Sequence, residues 1–107
     1  MSLFAEYWRE KGHLIVETQR GFMSAIIHDT MCYVDSFYVK PEYRGTNSAL
    51  QLTLQVIQRA KDRGCKEFAA EIYKSDPLYT YILGLHKHFG MSVIEDTEFK
   101  TVTSKRI

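Results

Sequence analysis

The sequence predicts an α+β fold built on one mixed sheet, in the order α-β-β-β-α-β-α-β-β, with residues 1–107 forming a single domain. Three observations carry this. Short β-rich runs joined by tight turn signals fill residues 13–39, the pattern of an antiparallel meander. An amphipathic helical stretch then separates the third run from a fourth, and such a strand–helix–strand crossover sets its two strands parallel. Two further β-rich runs flank a polar turn near the end of the chain and read as a hairpin. The 107 residues suit one domain.

Residues 3–11 predict a short helix, with Leu3, Phe4, Tyr7 and Trp8 at helical spacing and Gly12 as its stop. His13 to Thr18, Phe22 to His28 and Met31 to Val39 predict the three strands of the meander, with turns at Gln19-Arg20-Gly21 and Asp29-Thr30. Pro41 ends the third. Thr46, Asn47 and Ser48 all suit an N-cap, and Ser48 with Gln51 has capping-box spacing. The helix that follows carries Ala49, Leu52, Val56, Ile57 and Ala60 on one face, and Gly64 closes it. Lys66 to Tyr73 predicts a strand. Asp76-Pro77 predicts a helix start, with Leu78, Tyr81, Ile82, Leu85 and Phe89 as its apolar stripe and Gly90 as its end. Met91 to Glu95 and Phe99 to Ile107 predict the last two strands.

Composition excludes several classes. Hydrophobic residues make up 45% and charged residues 25% of the chain, ordinary values for a globular domain. The formal net charge of +1 gives no field for nucleic acid or acidic lipid. No apolar run reaches the ~20 residues needed to span a bilayer, and the N-terminus has no signal-peptide pattern, so a cytoplasmic protein with no membrane partner is expected. Cys32 and Cys65 are too few for a disulfide framework and lack metal-ligand spacing. Both are expected as small buried side chains, and no metal site is expected.

The run from Tyr38 to Leu50 is a strand, a small-residue turn and the N-terminus of an amphipathic helix. The first turn of a helix presents unpaired N–H groups and the positive end of its dipole. Small residues let a phosphate approach them, and Arg44 can add a charge-assisted bond. The pattern fits an anion site and a plain helix cap equally well.

This run resembles motif A of the GNAT acyl-CoA N-acyltransferases, V-x-P-x-Y-R-G leading into Arg/Gln-x-x-Gly-x-Gly/Ala. Val39, Pro41, Tyr43, Arg44, Gly45 and Ala49 match, while Asn47 stands where the family usually has glycine. The helix ending at Gly64, the strand from Glu67 to Tyr73 and the Phe89-Gly90-Met91 closure also fit the family's order. The resemblance implies an acetyl-CoA-dependent N-acetyltransferase, with acetyl-CoA as co-substrate and an amine of unknown identity attacking the thioester directly. It implies coenzyme contacts at Phe37, Val39, Arg44, Gly45, Thr46, Asn47, Ser48 and Ala49.

The family's acid and base positions differ here. Its glutamate, eight residues before the proline, falls on Tyr33, and Asp35 is the nearest carboxylate, expected on the same strand face as Tyr33. Asp35 reads either as the proton acceptor or as a strand-end carboxylate satisfied by its neighbours. The family's acidic tyrosine, four residues before the glycine of Gly-Phe, falls on His86. That histidine reads either as an acid partly charged near neutral pH or as a half-buried side chain. Family members usually carry a further strand and two helices before the meander, so an acyl-acceptor side that is open, or completed by a second subunit in a homodimer, is expected. The alternative is a GNAT-fold binding protein that keeps acyl-CoA binding with weakened catalysis.

Overall fold

In the computed structural model, which describes residues 2–107, Ser2 accepts the Ala5 N–H at 3.1 Å and starts α1 (Leu3–Glu10). There follow β1 (Leu14–Glu17), β2 (Gly21–His28), β3 (Met31–Val39), a 3-10 turn (Pro41–Tyr43) and α2 (Ser48–Asp62). After these come β4 (Glu67–Tyr73), α3 (Tyr79–His88), β5 (Ser92–Asp96) and β6 (Lys100–Arg106). The order is the predicted one. The six strands form one sheet in the order β1-β2-β3-β4-β6-β5, with β3 and β4 its parallel pair and every other pair antiparallel.

The helix α2 packs its Ala49, Leu52, Val56 and Ala60 stripe on one sheet face, as its period predicts, against Val16, Met23, Ala25, Cys32, Val34 and Phe68. Both cysteines are free and buried, and burial pushes the Cys32 thiol up to about 12, so it stays protonated and inert.

Three expectations need correction. The capping box does not form. Ser48 is the first helical residue and Asn47 the cap, without a side-chain bond, while Thr46 Oγ1 accepts the Ser48 N–H at 3.3 Å. The left-handed residue of this turn is Gly45 (φ +83°), so Asn47 keeps an ordinary φ of −78°. The helix α3 begins at Tyr79, because the Asp76 carboxylate accepts the Leu78 N–H at 2.8 Å in a turn ahead of it. Its stripe is only half-buried, and two hydrogen bonds to the sheet dock it: Tyr79 to Thr101 at 2.7 Å and His86 to Thr103 at 2.8 Å. The apolar side chains of α1 largely face outward, with Leu3 82%, Phe4 57% and Tyr7 52% exposed and only Ala5 buried.

Candidate active site

β3 and β4 stay paired only from Met31↔Glu67 to Val34↔Ala70 and then part. The parting begins at a bulge. Ser24 pairs with Ser36 and Ala25 with Val34, which leaves Asp35 without a partner on β2. A bulge adds a residue, breaks the in–out alternation and bends its strand. Cys32 and Val34 therefore share the core face with Phe37 and Val39.

The opening is a cleft of about 320 Å³ lined by β3 (Asp35, Ser36, Phe37), by β4 (Ala70 to Tyr73), by Asp76, and by Ile82 and His86 of α3. It continues past Phe37, Asp76 and Ile82 into a hollow of about 260 Å³ beside Val39, Arg44, Leu78 and Tyr81. The path leads from the parted strands to Arg44.

Backbone donors line this path. Lys40 donates its N–H to Arg20 O at 2.8 Å, toward β2. By strand alternation Tyr38 faces β2 as well, while Phe37 and Val39 turn their N–H groups toward the side that β4 has left. Beyond Arg44 the Ala49 and Leu50 N–H groups have no backbone acceptor among the described residues, and the first turn of α2 holds no acidic residue. Arg44 is fixed by its Nε–H, which donates to Val39 O at 3.0 Å, with its guanidinium 5.6 Å from the centre of the Tyr38 ring. Its terminal nitrogens remain available. Arg20, which sequence reading did not single out, lies 4.8 Å from the Tyr43 ring centre and lines a groove with Ser48 and Gln51. The structure thus brings Phe37, Val39 and Arg44 to one path, while the 45–49 turn follows Arg44 in the chain and lines neither cavity.

The expected catalytic residues are placed less uniformly. Asp35 lines the cleft and, bonded to Ser24 of β2, lies with Tyr33 on the face away from α2. Its Oδ1 accepts the Ser24 hydroxyl at 2.6 Å, and His13 Nδ1 lies 3.9 Å from its Oδ2. Tyr33 does not line the cleft; its hydroxyl donates to Glu71 Oε2 at 2.7 Å. Burial, then this bond, pushes its phenol up, so it remains protonated at neutral pH.

Glu71 was missed by sequence reading, although it is the one charged residue inside the Phe68–Ile72 run. Burial pushes its carboxyl up, but hydrogen bonds from Tyr33 and Lys100 outweigh that and hold it below the ordinary glutamate range.

His86 corrects the expectation of a partly charged acid. Burial between α3 and the sheet lowers its pKa to about 4, so it is neutral at pH 7. The Thr103 hydroxyl has two neighbours, His86 Nδ1 at 2.8 Å and Met91 Sδ at 3.8 Å. The Thr103 hydroxyl donates to Met91 Sδ, and His86 lines the cleft.

Fold and path together define the scaffold of an acyltransferase. Residues 2–91 match the acetyltransferase (GNAT) family, and the chain belongs to that family. No curated protein matches in sequence. Among solved structures, the PaiA N-acetyltransferase of Thermoplasma acidophilum in complex with coenzyme A aligns with a TM-score of 0.82 at 18% identity, over 98% of this chain and 69% of that one. An acetyltransferase of Bacillus cereus gives 0.70 at 15% identity, over 100% and 94%. The ribosomal-protein-S18-alanine N-acetyltransferase of Escherichia coli gives 0.70 at 12%, over 95% and 76%. These likenesses establish the shared fold. No helix among the described residues is long and apolar enough to cross a membrane.

Proposed function

We propose that the protein is an acetyl-CoA-dependent N-acetyltransferase whose amine acceptor attacks the thioester directly. The observation that carries this is the continuous path from the parted strands, with the Phe37 and Val39 N–H groups turned toward it, to Arg44 just ahead of the first turn of α2. Acetyl-CoA supplies the activated acyl group. Arg44 and the Gly45–Ala49 turn hold its phosphates by charge-assisted and backbone hydrogen bonds. Phe37 and Val39 orient the arm as an added strand would, and such positioning supplies most of the rate. Asp35, held by Ser24, takes the amine proton directly or through one water. Neutral His86, which lines the cleft, offers a ring N–H to the sulfur as charge develops there, a donor that needs no prior protonation.

A second reading, an acyl-CoA-binding protein with weakened catalysis, is favoured by one observation: the family's glutamate position is a protonated Tyr33 committed to Glu71. In either reading the exposed apolar side of α1 serves as the contact of a homodimer.

Calorimetric titration of acetyl-CoA combined with thiol release in the presence of alkylamines tests both. Binding with amine-dependent thiol release supports the transferase. Binding without release supports the second reading, and absence of binding refutes both.

A further inference from the structure

Asp35 has neighbours on two sides. Its Oδ1 accepts the buried Ser24 hydroxyl at 2.6 Å, and its Oδ2 lies 3.9 Å from His13 Nδ1. The two neighbours come from different parts of the sheet. Leu14 and Val16 belong to the core under α2, so by alternation Ile15 and His13 take the other face. Ile15 pairs there with Ser24 of β2, and His13 and Asp35 meet over that strand. His13 is held from behind as well. Its N–H donates to Trp8 O at 3.0 Å, and its ring packs on the Trp8 indole with centroids 4.6 Å apart. The His13 side chain keeps 17% of its surface exposed, yet it lines neither the cleft nor the hollow that continues it. One carboxylate therefore has the reaction space on one side and a fixed, solvent-reached imidazole on the other.

We propose that His13 is a positioning residue acting through Asp35: it orients the carboxylate and carries the proton taken from the amine away to solvent. This rests on the acetyl-transfer reading, in which Asp35 is the proton acceptor. Attack by the amine forms the C–N bond, breaks the C–S bond and leaves the electron pair on sulfur. The proton of the nitrogen passes to Asp35 Oδ2, from there to His13 Nδ1, and from the imidazolium to water or a buffer base. The separation of 3.9 Å closes to hydrogen-bond length with a shift of about 1 Å. An amine and acetyl-CoA filling the cleft stand between Asp35 and the water there. The route through His13 stays open, because it leaves from the β1 side and crosses no residue that lines the cleft.

Thiol release from acetyl-CoA with butylamine as acceptor tests this. His13→Gln should lower kcat at least about tenfold and leave KM for both substrates within about twofold, since neither substrate touches residue 13. Imidazole added to His13→Ala should restore a saturable part of the rate, and it should restore none when Asp35→Asn is also present. A packing defect has no reason to respond to imidazole in this way. Trp8 is the only tryptophan of the chain, so its fluorescence shows whether α1 stays docked in each variant. The Ala variant with imidazole carries the test where the Gln variant loosens α1. Wild-type turnover with kcat unchanged in His13→Gln, a loss of rate that imidazole does not restore, or a rescue that survives Asp35→Asn overturns the relay alone. A wild type that releases no thiol with any alkylamine refutes the transfer reading and the relay with it.

Discussion

The buried His86 makes the fold sensitive to mild acid by an amount that can be worked out. Its pKa is about 4 in the folded protein against an ordinary 6.5. The unfolded chain therefore binds the proton first as pH falls. The stability tied to neutral His86 is fully present above pH 6.5, is lost as pH falls through that interval, and stops falling near pH 4. The whole loss is about 3 kcal/mol at ~1.4 kcal/mol per pKa unit, of which about 2 kcal/mol falls between pH 7 and pH 5. His86→Gln keeps a polar partner for Thr103 and removes the titration. Urea unfolding of both proteins at pH 7 and pH 5 isolates the effect, since the carboxylates common to both cancel in the difference. The wild type should lose about 2 kcal/mol more than the variant over that interval. Equal losses, or an NMR titration of the His86 ring centred near its ordinary value, would refute the burial argument. The same neutrality predicts that His86 contributes no limb to a pH–rate profile near pH 6.5.

Arg44→Glu should weaken coenzyme A binding by at least about tenfold in calorimetry, since it replaces a charge-assisted donor with a repelling charge. Its thermal unfolding should change little, and unchanged affinity would remove Arg44 from the site. Gly21→Ala should cost about 3 kcal/mol or prevent folding, because overpacking against backbone has no rotamer to yield. The added Cβ would collide with the Tyr38 carbonyl oxygen, and a melting curve like the wild type's would contradict this. The exposed apolar side of α1 predicts a dimer in sedimentation at micromolar concentration that Phe4→Glu dissociates, and a monomeric wild type would count against it.

The fold was legible where the signal is local. Strand alternation, the Gly12, Gly64 and Gly90 stops and the α2 stripe all act within a few residues, and each appears where its pattern places it. The helix α3 was placed two residues early, since Asp76-Pro77 has the signature of an N-cap with proline. The same carboxylate also caps a turn that precedes the helix. The expected coenzyme segment is local in the same way: Tyr38 to Leu50 are contiguous, and one strand–turn–helix unit presents them all. The rest of the site is assembled across the sheet. Tyr33, Glu71 and Lys100 come from three strands and meet only once β4 lies between β3 and β6. The bulge at Asp35 adds one residue to the count and so overturns the face assignment that alternation gives to everything after it.

That extra residue also gives the site its polarity. Without it β3 could continue alongside β4, and the Phe37 and Val39 N–H groups would be spent on the ladder. With it, the strands part and a single opening joins two chemically different faces. On the helix-covered face lie unpaired amides, Arg44 and a neutral imidazole, which suit a polyanion and a developing negative sulfur. On the opposite face lies Glu71, its carboxylate bonded by Tyr33 and Lys100. A cation and an anion entering this cleft are therefore drawn to opposite ends of it. The two substrates of the proposed amine acetylation differ in charge in this way, so the charges of the cleft would order them across the parted strands.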